Sequence, residues 1–179
     1  MRRYAALLRG VNVSGRNTVG MAELRARLVD LGYRDVTTYI QSGNVVFGAP
    51  TGGESALVAA IEAEIRRAFK LEVGVLIRSP AQLRRIGTTN PFLQRADDRS
   101  ALHVTFLAET PPRAKGRELS ARPAGPDDCV IIGREIYLRC PGGYGKTKLN
   151  NTYLERVLGT RATTRNWKTL LKLRELVEA

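Results

Sequence analysis

The stretch Val36-Thr-Thr-Tyr-Ile-Gln-Ser-Gly-Asn-Val-Val-Phe47 decides the fold. Residues 36–41 and 44–47 are rich in β-branched, aromatic and apolar side chains. Ser42-Gly43 between them supplies a tight turn, so the segment reads as a β-hairpin. Upstream, residues 4–9 read as a buried strand. Met21, Leu24, Leu28 and Leu31 then fall on one helical face, with Gly32 placed to end the helix. Downstream, 50–53 is a loop, Leu57, Ile61, Ile65, Ala68 and Phe69 mark a second helix, and 73–78 a fourth strand. The order β-α-β-β-α-β is the ferredoxin-like pattern of an α+β protein.

The second half follows the same plan less cleanly. Residues 80–89 predict a connecting helix that Asn90-Pro91 ends. Strands are expected at 101–107, at 130–132 and 136–140 (a hairpin across Gly133-Arg134), and at 162–165. Helices are expected after Pro111-Pro112, over 149–158 closed by Gly159, and after Asn166 as an N-cap. The result approximates β-α-β-β-α-β-α, a degenerate α+β sandwich, although no residue-level repeat is legible. The expected organisation is a ferredoxin-like subdomain at 1–79, a connecting helix and loop at 80–100, and a second α+β subdomain at 101–179.

The chain has 179 residues, 43% of them hydrophobic, which supports a core and excludes a disordered chain. No apolar run approaches the roughly 18 residues of a membrane span. The basic and apolar start at 1–10 has no small-residue cleavage site after it. The expected address is the cytoplasm, with no membrane partner. Cys129 and Cys140 sit in apolar, strand-like stretches and read as small buried hydrophobes. The one histidine, His103, lies in an alternating strand, and the cysteines lack zinc-site spacing. No metal and no cofactor is expected. The net charge is +12, from 29 basic residues against 17 acidic ones. That balance favours polyanionic partners, yet the basic residues are scattered from Arg2 to Arg174 without a block.

Three segments carry a family resemblance: Tyr4-Ala-Ala-Leu-Leu-Arg-Gly-Val-Asn-Val-Ser-Gly-Arg-Asn17 with Met21-Ala-Glu-Leu-Arg25, Thr38-Tyr-Ile-Gln-Ser-Gly-Asn-Val-Val-Phe47, and Ala162-Thr-Thr-Arg-Asn-Trp-Lys-Thr169 with Lys172-Leu173. Together with Asn90-Pro91-Phe92 they resemble the bacterial domain-of-unknown-function family numbered 1697, across essentially the whole chain. The resemblance implies two α+β subdomains and brings no activity with it. Arg16 stands where that family commonly has lysine, and Gly20 where it commonly has proline.

Several clusters could carry function. Residues 10–17, Gly-Val-Asn-Val-Ser-Gly-Arg-Asn, nearly fit the nucleotide-binding loop G-x4-G-K-[ST]. Arg16 replaces the lysine and Asn17 the magnesium-binding hydroxyl. In the ferredoxin-like order this loop shares one end of the sheet with the turn between strands two and three. Arg9, Asn12 and Asn17 should therefore approach Gln41, Ser42 and Asn44. Two readings stay open there: a shallow pocket for a small anionic or polar ligand, or mutual hydrogen bonding that orders two turns. Cys140-Pro-Gly-Gly-Tyr-Gly-Lys-Thr147 is a second near-miss, with Lys146 and Lys148 as basic loop residues. Arg165, Asn166 and Trp167 form a third cluster, where Trp167 serves the core or stacks on a base beside a basic stripe of Arg165, Lys168 and Lys172. Asp97-Asp98 and Asp127-Asp128 are paired loop acids, no Ser-His-Asp set forms around His103, and enzyme status stays open. The alternatives to a small-ligand module are nucleic-acid binding through arginines and a protein-interaction role, including a homodimer. An apolar first sheet, with Phe47 the only aromatic on its third strand, argues against an open base-stacking platform.

Overall fold

The structure, a computed structural model, describes residues 1–50, 52–95, 98–122 and 125–179. Residue 51 of the expected 50–53 loop and Asp97 of the Asp97-Asp98 pair lie outside the described residues. Among the described residues the fold is α+β, with two four-stranded antiparallel sheets and six α-helices. No helix among them is long and apolar enough to cross a membrane. The chain divides into two compact units, 1–84 with 172–179, and 85–171. The sequence boundaries assigned all of 101–179 to one subdomain, whereas here the last eight residues group with the first unit.

Unit one contains β1 (Arg2–Leu8), α1 (Met21–Asp30), β2 (Arg34–Tyr39), β3 (Asn44–Ala49), α2 (Glu54–Phe69), β4 (Val75–Arg78) and the start of α3 (Pro80–Thr88). Its sheet runs β2-β3-β1-β4, the ferredoxin-like order. Tyr4, Ala6 and Leu8 of β1 pack with Leu24 and Leu28 of α1 and Ile61 and Ile65 of α2. Each fully buried Leu or Ile contributes about 1.5–3 kcal/mol of burial. Ala5 and Leu7, on the opposite face of β1, are also sealed from water.

Unit two holds the rest of α3, then β5 (Leu102–Leu107), α4 (Arg113–Ser120), β6 (Asp128–Ile132), β7 (Glu135–Arg139), α5 (Asn151–Leu158), β8 (Ala162–Asn166) and the start of α6 (Trp167–Glu178). Its sheet order, β6-β7-β5-β8, repeats that of unit one. Leu119 of α4, Leu154 and Leu158 of α5 and Ile136 and Leu138 of β7 form its core.

The registers show, residue by residue, the repeat that the sequence carries only as element order. Leu8 N–H donates to Gly43 O at 2.8 Å, and Leu107 N–H to Arg134 O at 2.8 Å. Arg9 N–H donates to Gly74 O at 2.8 Å, and Ala108 N–H to Arg161 O at 2.9 Å. Val75 N–H reaches the Glu62 carboxylate on α2 at 2.9 Å, and Ala162 N–H the Glu155 carboxylate on α5 at 2.9 Å. Ala5 pairs with Arg78 as Val104 pairs with Arg165. Both arginines are buried, and each precedes an N-cap residue, Ser79 or Asn166, that receives a helix N–H. Leu83 and Leu170 are the corresponding, fully buried helix residues.

Candidate functional site

The loop after β1 is a small hairpin. Val13 and Arg16 pair across Ser14-Gly15, both at positive φ, and Asn12 N–H donates to Asn17 O at 3.1 Å. Two positive-φ residues at a two-residue turn match the twist of paired strands. Asn12, itself at φ 54°, ties this hairpin to the β2–β3 turn. Its Nδ2 donates to Val19 O at 2.9 Å and Gln41 O at 2.7 Å, while its Oδ1 accepts from Val19 N–H at 2.9 Å. Asn17 Nδ2 donates to Gly10 O at 3.1 Å. Buried Asn44 donates to Tyr39 O and to Ser42 Oγ, each at 3.2 Å.

The structure thus brings Asn12, Asn17, Gln41, Ser42 and Asn44 to one end of the sheet. Arg9, half-buried, continues the pairing of β1 toward β4. The three asparagine amides are engaged with the protein's own backbone and Ser42, which orders the two turns. The nucleotide-loop resemblance of 10–17 ends here, because a hairpin replaces the amide cradle and the sheet is antiparallel.

The second basic loop is also tied down. Thr147 Oγ1 donates to Asp127 at 2.6 Å and accepts from Leu149 N–H at 3.1 Å. Lys146 and Lys148 are exposed, and Lys148 borders a surface hollow with Asn150, Tyr153 and Arg156. Asp128 pairs with Arg139 at 2.6 Å, and Asp98 accepts from Ser100 N–H at 2.8 Å, so these acids serve as turn and strand anchors.

The third cluster lies beside a cavity. His103, at the start of β5, pairs with Asn166, at the end of β8. With Trp167, Lys168 and Leu171 of α6, and Arg99 and Ser100 before β5, they line a hollow of about 440 Å³. That lies within the range of small-ligand sites. Trp167 is buried, and its Nε1–H has no acceptor among the described residues. His103 stacks on Tyr144 at 5.0 Å, and its Nδ1 lies 3.3 Å from Ala101 O. Burial holds its pKa below the ordinary value of 6.5, so the ring is neutral at pH 7. Asn166 Oδ1 caps α6 through Thr169 N–H at 2.8 Å. Arg99 and Lys168 are exposed and form no ion pair or side-chain hydrogen bond among the described residues. Arg165 does not line this hollow. Burial lowers its pKa to about 10, which leaves it cationic, and its Nη1 donates to Thr163 Oγ1 at 2.8 Å and Thr164 O at 2.9 Å.

A family described as "Protein of unknown function (DUF1697)" has a sequence model that matches residues 1–137. The chain belongs to the DUF1697 family. Among solved structures, "conserved bacterial protein SP0830 from Streptococcus pneumoniae" is similar with a TM-score of 0.77 and 24% identity, over 98% of each chain. That likeness bears on the fold alone. The curated proteins include no match.

In this DUF1697 chain, the sequence points to Asn166 and Trp167 with Lys168 on the basic stripe beside them, reads His103 as structural, and gives no signal for Arg99 or Ser100. Their meeting depends on β5 pairing with β8, between residues some 60 positions apart, which no local motif records.

Proposed function

We propose that this protein is a binding module for a small anionic ligand, seated in the unit-two hollow at the start of α6. One observation carries the reading: Arg99 and Lys168, two cations without described carboxylate partners, flank a cavity walled by Trp167, Leu171 and neutral His103. Asn166 Nδ2 has no acceptor among the described residues, its Oδ1 alone being used as the cap. The first turn of α6 adds the positive end of a helix dipole. Asp98, the nearest acid in sequence, is engaged by Ser100. Two charge-assisted hydrogen bonds at about 1.5–3 kcal/mol each correspond to dissociation constants from several millimolar to tens of micromolar.

Titration calorimetry with phosphate monoesters, nucleotides and carboxylates tests this reading. At least one should bind, and Lys168→Ala or Arg99→Ala should weaken it about tenfold while Arg16→Ala leaves it unchanged. Absence of binding to 10 mM across the panel overturns the proposal. A loss in Arg16→Ala with none in Lys168→Ala moves the seat to the β1–α1 end.

The +12 charge favours a second reading, nucleic-acid binding. The central strands of both sheets are buried along nearly their whole length, so contact would run through surface arginines to phosphates. A gel-shift titration at 20 and 150 mM salt separates the two, since only a polyanion gives a steep salt dependence.

A further inference from the structure

We infer that unit one carries a second anion site, at the position the repeat assigns to the unit-two hollow, and that it takes a doubly charged oxyanion such as a phosphate monoester. The strand registers match Tyr4 to His103, Ser79 to Asn166, Pro80 to Trp167, Ala81 to Lys168 and Arg84 to Leu171. These unit-one residues, with Arg2 and Arg3, line a hollow of about 430 Å³, close to the 440 Å³ of its counterpart. The cavity therefore belongs to the repeated scaffold: the start of the central strand, the end of the last strand, and the first turn of the helix that follows.

The capping chemistry recurs too. Ser79 Oγ accepts from Gln82 N–H at 3.3 Å, and Ser79 N–H donates to Gln82 Oε1 at 2.7 Å. What differs is where the cations stand. Unit two uses Arg99 and Lys168, whereas unit one uses Arg2, Arg3 and Arg84, whose counterparts Ala101, Leu102 and Leu171 are uncharged. At the chain-wide frequency of 29 basic residues in 179, seven lining residues would hold about one cation. Here they hold three, with no acid among them. The same hollow has been lined with positive charge by different residues in each unit.

Each arginine has a distinct state. Arg2 is exposed, with no side-chain partner among the described residues. Arg3 donates from Nη2 to Leu176 O at 2.9 Å, and its buried Nε–H has no acceptor among the described residues. Arg84 Nε donates to the Glu178 carboxylate at 2.9 Å, which fixes the guanidinium at the rim. A planar guanidinium presents paired donors that match the oxygens of a phosphoryl group. Three arginines together favour a dianion over a monoanion, and Pro80 stands where unit two has Trp167, which leaves Tyr4 as the aromatic of this lining.

The test is a titration of the full-length, isotope-labelled protein with inorganic phosphate, and separately with acetate, followed by nuclear magnetic resonance at constant ionic strength. Phosphate should shift the amides of Ser79 and Ala81 and the Nε–H signals of Arg2, Arg3 and Arg84 saturably. Acetate should bind at least tenfold more weakly. Arg2→Ala, which removes an exposed side chain with no partner among the described residues, should weaken the phosphate response about tenfold, and Arg84→Gln should do the same. Lys168→Ala should leave it intact, so this site and the unit-two site succeed or fail separately. Shifts that do not saturate, that are equal for acetate and phosphate, or that persist in the Arg2→Ala/Arg84→Gln double variant would overturn the proposal.

Discussion

Replacing Asn12 by alanine isolates what holds the β1–α1 hairpin to the β2–β3 turn. The change removes three hydrogen bonds, two donated by Nδ2 and one accepted by Oδ1. At about 0.5–1.5 kcal/mol net for each, the loss is roughly 1.5–4.5 kcal/mol. Alanine must also adopt the φ of 54° that asparagine tolerates, adding about 1 kcal/mol. The expected total is about 3–5 kcal/mol, equivalent to a melting-point fall on the order of 10 °C for a chain of this size. Asn12→Gly loses the same hydrogen bonds but relieves the backbone, so it should be about 1 kcal/mol milder than alanine. Urea unfolding followed by circular dichroism, with unchanged slope, gives the differences. An Asn12→Ala variant within about 0.5 kcal/mol of the parent, the scatter of ordinary surface changes, would refute the reasoning. So would a glycine variant less stable than the alanine one.

A built Cβ at Gly43, φ 77°, would meet Val11 Cγ2 at 2.5 Å and Leu8 Cβ at 2.7 Å, whereas one at Gly10, φ 67°, meets nothing within 4 Å. Gly43→Ala should therefore cost about 3 kcal/mol or more and Gly10→Ala about 1–2 kcal/mol, in the same urea assay. Leu83→Ala and Leu170→Ala, at corresponding fully buried positions, should each cost about 2–5 kcal/mol. Because burial depresses the His103 pKa below 6.5, its contribution is complete above that value and falls away as pH drops through the lower folded pKa. The urea midpoint between pH 7 and pH 5 should thus fall more for the parent than for His103→Phe. Burial raises the Cys140 thiol to about 11 and also raises Cys129, so a thiol reagent at pH 8 should leave Cys140 unmodified in the native protein and label both once it is unfolded.

The ferredoxin-like order of unit one was legible because each element carries a local signal. Met21, Leu24 and Leu28 keep helical spacing and are all buried, and Ser42-Gly43 ends a turn between two paired strands. Gly159 closes α5 at φ 73°, and Asn166 caps α6, both as local chemistry requires. The repeat was legible as an echo of element order but not residue by residue, because its detail lives in register and in hydrogen bonds between distant segments. Arg78 and Arg165 are both buried at the ends of last strands, yet they are flanked by Ile77-Arg78-Ser79-Pro80 in one unit and Thr164-Arg165-Asn166-Trp167 in the other. Only the arginine is shared, and one shared residue cannot declare a repeat. The Glu62 and Glu155 contacts to strand N–H groups are equally invisible, since a helix glutamate ordinarily reads as a solvated face.

The candidate site was harder to read, for a reason built into side-chain chemistry. Asparagine, serine and glycine are the residues that orient a polar ligand, and they are also the residues that order turns. Sequence names the donors but not the acceptors already committed to them. At the β1–α1 end, each asparagine Nδ2 reaches a backbone carbonyl, so the apparent cluster of ligand groups is largely internal wiring. At the start of α6 the reverse holds. His103 and Trp167 are residues that a core uses routinely, and Lys168 reads as one member of a basic helix stripe while Arg99 looks like one exposed base among many. Antiparallel pairing of His103 with Asn166 brings His103 and Trp167 to line one hollow with Arg99 and Lys168. A residue's type therefore indicates a site only after its own hydrogen-bond partners are known, which is why the asparagine-rich loop and the quieter strand end exchange places as candidates.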